Sequence, residues 1–253
     1  MRNKTIPIIG ILALALCLFN ACRNEKKQRN KDTITVSKVD TLAKTTETSS
    51  PGEEANEPGF PARAKTIKAF IPKYYDIDME AEGDLNRDGL KDQAMILINA
   101  KDTTAQRVAL VLFLQSDNSY VLNAKSFSVV EPKYSEDGYQ NYDFEEISID
   151  KNGQLTISQQ ATGPNGSLES IYKYINNELV LTNITSFNMG AGGQTELKLD
   201  LLKGIFEETD INTMKEDMPS KTFTKQYKIP KVTFENSSPR DVIIKAFDVN
   251  GVQ

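Results

Sequence analysis

The run AMILINAKDTTAQRVALVLFLQ, residues 94–115, decides the fold class. Two short apolar runs, 94–99 and 107–115, flank the polar link AKDTTAQ. They suit a β-hairpin, and the second reads as a central strand buried on both faces. Downstream the same texture continues. SYVLNAKSF follows the turn signal Ser116-Asp117-Asn118, and EEISID and QLTISQQ are joined by Lys151-Asn152-Gly153, a strong hairpin signal. IYKYI and LVLTNITSF flank Asn176-Asn177, and TELKLDLL, TFTKQYKI and DVIIKAF are further strand candidates. Short strands spaced by turns predict a mostly antiparallel all-β domain, sandwich or propeller-like, with one or two short helices. The helical candidates are Asp210 to Met218 and a short piece near Ala64 to Phe70. No internal repeat of fixed period is present.

Immediately upstream of the apolar runs lies GDLNRDGLKD, residues 83–92. Asp84, Asn86 and Asp88 alternate with Leu85 and Arg87, Gly89 turns the chain, and Asp92 closes the run. Calcium takes six to eight oxygens at about 2.3 to 2.6 Å. Side chains at alternate positions of a tight loop can point at one centre, and Gly89 makes the sharp turn without a Cβ clash. Leu90 would offer its backbone carbonyl. Arg87 and Lys91 fall at outward positions, where they do not compete for the ion. The alternative reading is a solvated turn, since Asp, Asn and Gly are ordinary turn residues.

An EF-hand needs a bidentate Glu at position twelve and a helix after it. Position twelve is Met95, inside a strand-like run, which rejects the EF-hand. The stretch resembles the calcium loops of integrin-type FG-GAP repeats, where a D-x-[DN]-x-[DN]-G-x-x-D turn leads into a β-strand. That resemblance implies calcium held by Asp84, Asn86, Asp88, Leu90 (main chain) and Asp92. The longer stretch FIPKYYDIDMEAEGDLNRDGLKDQAMILI is also similar to a group of bacterial secreted lipoproteins carrying one such loop. Only one loop occurs here, which speaks against a full propeller.

The N-terminus, MRNKTIPIIGILALALCLFNAC, predicts location. Arg2 and Lys4 form a basic start and Ile8 to Phe19 a short apolar core, the pattern of a secretory signal and too short for a membrane span. Ala21-Cys22 directly after it resembles a bacterial lipobox, which implies a signal peptide over 1–21 and a lipid on Cys22. Ordinary signal cleavage is the alternative. Residues 22–59 then read as the lipidated Cys and a disordered tether. They hold no aromatic residue and few apolar ones in a Lys, Glu, Thr, Ser and Pro background. A packed N-terminal arm is the other reading. Residues 60–253 are left as the β domain.

Composition excludes several chemistries. The chain carries a net charge of −5 and no His or Trp. A net acidic chain argues against nucleic acid as a partner. Without His there is no imidazole base, no serine triad of the usual kind and no His-ligated zinc. Cys17 lies in the signal and Cys22 would be acylated, so a mature thiol nucleophile is excluded too.

The other motifs read as structure more readily than as sites. Gly190-Ala191-Gly192-Gly193 precedes a strand-like run and not a helix, so it is a turn and not a phosphate loop. Gly163-Pro164-Asn165-Gly166 and Asp248-Val249-Asn250-Gly251 also read as turns. The acidic groups Asp143, Glu145, Glu146 and Glu207, Glu208, Asp210 read as solvated faces; paired carboxylates for glycoside hydrolysis are the sharper alternative. Tyr134, Tyr139, Tyr142 and Phe144 read as caps on a β core or as a ligand-contact surface. The resulting expectation is a non-enzymatic lipoprotein of the bacterial cell envelope. Its β domain is stabilised by calcium, its lipid holds it to a membrane, and an envelope protein or glycan is its partner. The rival is a carboxylate-dependent hydrolase of envelope glycans.

Overall fold

The computed structural model describes residues 58–161, 166–226, 230–236 and 238–250. The signal peptide, Cys22, the tether up to residue 57 and most of the 163–166 turn lie outside these residues. Among the described residues the fold is mostly antiparallel β: a five-stranded and a seven-stranded sheet, one helix and two 3-10 turns. No helix among the described residues is long and apolar enough to cross a membrane.

The five-stranded sheet has the order β1-β5-β4-β3-β2. Its strands are β1 (Arg63–Ala64), β2 (Tyr75–Gly83), β3 (Asp92–Asn99), β4 (Val108–Leu114) and β5 (Tyr120–Ser126). The expected hairpin is β3–β4, and β4 is the central strand. Its alternate side chains enter two different cores. Ala109, Val111 and Phe113 face the core shared with the second sheet, whereas Val108, Leu110 and Leu112 face a smaller core closed by Phe70, Phe60, Ile67 and Ile71. A strand covered on both sides has no room for polar alternation, which is why its sequence is a continuous apolar run.

The seven-stranded sheet is a simple meander, β6 to β12 in chain order. It comprises β6 (Phe144–Ile149), β7 (Gln154–Gln160), β8 (Ser167–Ile175), β9 (Glu178–Gly190), β10 (Gly193–Asp200), β11 (Ile205–Asn212) and β12 (Ser220–Gln226). Its turns follow local chemistry. Asn176 and Asn177 both take positive φ (51° and 65°), the backbone that closes a two-residue hairpin with the strands' own twist. Inward residues Leu155, Ile157, Tyr172, Leu181, Ile184, Leu197 and Leu199 build the shared core. Phe113 of the first sheet meets Tyr174 of the second edge to face, with ring centroids 5.1 Å apart.

Three expectations fail. DVIIKAF is not a strand but the body of α1 (Pro239–Asn250). Val242 and Ala246, four residues apart, enter the shared core, Phe247 packs on Phe206, and Ile244 faces out, which is helical periodicity. The turn read at Asp248-Val249-Asn250 is the end of this helix. Conversely, Asp210 to Met218 is not helical. Asp210, Ile211 and Asn212 end β11 between Thr195, Gln194 and Gly193 of β10 on one side and Lys221 and Ser220 of β12 on the other. The Asn212 side chain then accepts the Met214 N–H and starts a turn. The short piece near Ala64 to Phe70 contains a 3-10 turn over Ile67–Phe70.

Candidate metal loop and the buried charge cluster beside it

Residues 84–91 are the loop of the β2–β3 hairpin, closed where Gly83 pairs with Asp92. Positive φ at Arg87 (63°) and Gly89 (87°) folds it back on itself. The Asp84 carboxylate accepts the N–H groups of Asp88 (3.1 Å) and Gly89 (2.9 Å). The Asn86 carbonyl oxygen also accepts the Asp88 N–H (3.0 Å), and Asp88 accepts the Leu90 N–H (2.8 Å). The Asn86 amide donates to Asp88 Oδ2 at 3.0 Å. The loop is thus wound by its own short acidic and amide side chains, as Asp and Asn do in turns. The cations point elsewhere. Arg87 donates to the Asn152 carbonyl at 2.7 Å, and Lys91 pairs with Glu82 at 2.7 Å.

Asp92 differs from the other acids. It is fully buried, and its two oxygens accept the N–H groups of Leu85 (2.9 Å), Asn86 (3.4 Å) and Leu114 (3.1 Å). It therefore ties the loop to the end of β4. Burial pushes its carboxyl up to about 6 against the pull of those three N–H groups, and the nearby Asp88 charge adds to the rise. Leu85 sinks into the shared core beside it. The β6–β7 turn presses on the same place: a Cβ on Gly153 would lie 2.9 Å from the Asp84 carbonyl oxygen and 3.1 Å from that of Leu85.

The donors fit a hard cation in kind. Asp84, Asn86 and Asp88 lie at the half-buried to exposed side of the loop, and each of their accepting oxygens takes a single N–H, leaving lone-pair capacity. Among the described residues, no three His, Cys, Asp or Glu side chains converge tightly enough to hold a metal unaided. Asn86 and the Leu90 carbonyl would have to complete the set.

One feature escaped the sequence reading. Arg107, just before β4, has a side chain with 0% exposure. Its Nη1 reaches Asp78 Oδ2 at 2.8 Å, Nη1 and Nη2 grip the two oxygens of Glu145 at 2.9 and 2.6 Å, and Nε donates to the Glu131 carbonyl at 2.7 Å. Gln159 adds a donor to Glu145 at 2.8 Å, and Lys133 pairs with Asp78. Asp78 reaches this cluster because β2 bulges between Ile77 and Met79, leaving one residue without a partner on β3. Burial alone would lower the Arg107 guanidinium, but Glu145 and Asp78 more than offset it and hold it above its ordinary value. Glu145 is therefore no solvated acid, although Asp143 and Glu146 beside it are exposed. The signal was available: Glu145 shares its face of β6 with Ile147 and Ile149.

The tyrosine group divides. Tyr142 is buried, with its hydroxyl donating to Glu131 at 2.7 Å and accepting from Arg240 of α1 at 2.7 Å. Burial first, then Glu131, pushes its hydroxyl up to about 12. Tyr139 and Phe144 are exposed. Clefts of about 250 and 200 Å³ flank α1, the first beside Val232 and Asp241, the second beside Ser186 and Ile243. Neither is lined by residues of the 84–92 loop.

Comparisons with protein-family models, with curated proteins and with solved structures returned no match.

Proposed function

We propose that this chain is a lipid-anchored protein of the bacterial cell envelope whose β domain binds or scaffolds at that surface and is stabilised by calcium at residues 84–92. The observation that carries the reading is the winding of the loop: Asp84 draws in two N–H groups while Arg87 and Lys91 are engaged outside it. Asp84, Asn86, Asp88, the Leu90 carbonyl and Asp92 would hold the ion. Calcium there supplies charge neutralisation among neighbouring carboxylates and no catalysis. The likeness to integrin-type FG-GAP loops supports the same assignment. The lipobox-like Ala21-Cys22 after the apolar run supports the anchor, and an envelope protein or glycan is the class of partner proposed.

The test is a thermal melt of metal-free protein with added calcium. Extracellular-type sites bind with Kd on the order of 0.1 to 1 mM. Calcium at about 100 times Kd adds about 2.7 kcal/mol, a rise in melting temperature of roughly 5 to 10 °C. A melt indifferent to calcium and to chelator returns the loop to a plain turn. The anchor is tested separately: the Cys22→Ser chain should leave the membrane fraction or stay unprocessed.

A further inference from the structure

We infer that the outer layer of the five-stranded sheet, residues 67–77 with Lys101, docks on an anionic phospholipid surface. Residues 58–75 contain Arg63, Lys65, Lys68 and Lys73 and no acidic residue, within a chain whose net charge is −5. The charge is therefore segregated. Lys65 is neutralised by Asp117, but Lys68, Lys73 and Lys101 have no salt bridge among the described residues, and against them the docking layer carries one acid, the exposed Asp76.

Between these lysines the surface is apolar. An open hollow of about 690 Å³ is lined by Ile67, Ile71, Pro72 and Ile77, with Lys68 and Asp76 among the polar residues at its edge. Ile77 is a large aliphatic residue with 37% exposure, although it pairs with Leu97 on the face of the smaller core. Tyr74 is 47% exposed, and the Lys73 and Lys101 ammonium groups stand 4.7 and 3.5 Å from its ring centroid. An exposed Ile77 and half-buried Ile67 and Ile71 beside a tyrosine and lysines suit a headgroup boundary, where the ring sits among headgroups and ammonium groups meet phosphates.

The backbone adds an independent mark. The Tyr75 N–H donates to the Pro72 carbonyl, so Pro72 to Tyr75 form a turn with Tyr74 at its third position and φ of 71°. Glycine or asparagine is preferred there, and a bulky residue in this region is strained. Holding Tyr74 in that conformation places a large exposed ring where a turn alone requires none.

The occupant follows from where the chain enters. The described residues begin at 58, and Phe60 already packs in this layer beside Ile67 and Ile71. The first described residues therefore lie on the side that carries the lysines, and the tethered reading holds that side close to a membrane. This proximity rests on the tethered reading above, while the docking contact itself does not. Each lysine near an anionic surface raises partitioning roughly fivefold. Three lysines less Asp76 leave two net charges, on the order of thirtyfold, modest in free solution and effective once the domain is held close by a tether.

The experiment reads amide exchange in peptides covering 67–77 and 100–102 of the full chain held on vesicles through its N-terminal segment. That segment is present in every arm, whether acylated at Cys22 or retaining its apolar run, so failure of the lipid assignment leaves the comparison intact. On vesicles rich in phosphatidylglycerol these peptides should exchange about tenfold slower than on phosphatidylcholine, and high salt should abolish the difference. The Lys68→Glu, Lys73→Glu, Lys101→Glu triple variant should lose the protection while melting as the parent does. Tyr74→Gly should weaken it while melting at the same temperature or higher, since it relieves the strained turn. Equal exchange on both lipids, protection that survives the triple variant, or protection that appears only when envelope proteins are added overturns the proposal.

Discussion

The Arg107 guanidinium grips both carboxylate oxygens of Glu145 in a pair from which water is shut out, with distances of 2.9 and 2.6 Å and side-chain exposures of 0% and 7%. Arg107 comes from the chain leading into the first sheet and Glu145 from the edge strand of the second. With Asp78 on the edge strand β2, the pair fastens the two sheets where β2 and β6 run side by side. A bidentate pair in which all three guanidinium nitrogens donate is the arrangement in which a buried charge is tolerated.

Removing the cation should therefore cost more than removing an ordinary polar contact. Arg107→Ala leaves Asp78 and Glu145 buried without it, and a loss of about 3 to 5 kcal/mol is expected in urea unfolding. Combining Arg107→Met with Asp78→Asn and Glu145→Gln should recover much of that loss, because no net charge is then left inside. Equal stability of the single and triple variants would contradict this account.

Asp88 and Asp92 should separate in the metal-free melt. Asp88→Ala removes an oxygen on the exposed side of the loop, so it should change the metal-free melt little and abolish the calcium-induced rise. Asp92→Ala strips the acceptor from the buried N–H of Leu85 and the half-buried N–H groups of Asn86 and Leu114. It should cost about 2 to 4 kcal/mol already without calcium, since each unsatisfied buried donor costs about 1 to 3 kcal/mol, and lose the calcium-induced rise as well. Calorimetry on both variants with and without chelator reads the difference.

Gly153→Ala should damage the metal loop from a distance in sequence. Its φ of 70° strains any other residue, and the new methyl would press on the Asp84 and Leu85 carbonyls. The expected cost is about 1 to 3 kcal/mol, with amide shifts in residues 84–88 visible by NMR. Shifts confined to the 150–154 turn would show that the two loops are independent.

Asp150 should make the β6–β7 hairpin acid-sensitive. Burial tends to raise its carboxyl, but hydrogen bonds from Gln154 and Asn152 outweigh that and hold it down at about 2. A depressed folded value means a contribution that is present above the unfolded value near pH 4 and is lost as pH falls from about 4 toward 2. Amide exchange of residues 150–154 should accelerate over that window, and Asp150→Asn should flatten the response.

What the sequence revealed was set by the reach of the signal. Lys151-Asn152-Gly153 and Asn176-Asn177 specify turns by their own backbone preferences, so both hairpins were legible from a few residues. The β4 run was legible because both its faces are covered and every position is apolar. α1 was misread because VIIKAF is apolar enough for either period. Its start carried the better signal: Ser238, Pro239 and Asp241 are cap, first-turn proline and first-turn acid, and the Asp241 N–H donates to the Ser238 hydroxyl at 3.3 Å. β2 gave no clear alternation because its bulge at Asp78 breaks the period. Of the metal loop, spacing identified the alternating residues, but not that Asp92 would turn inward to the main chain of β4. Arg107 and Glu145 meet 38 residues apart, and nothing in either neighbourhood announces the other.

The two sheets differ in the order in which they can be completed. Every strand from β6 to β12 lies beside its chain neighbours, so that sheet can be laid down one hairpin at a time with short closures. The other sheet cannot. Its first strand pairs only with its fifth, Arg63 opposite Val121, and for a chain that emerges N-terminus first the earliest strand waits longest for its neighbour. Until β5 arrives, the apolar surface of Met95, Leu97 and Leu110 lacks its full cover, and that interval is when this molecule is most open to sticking to its own copies.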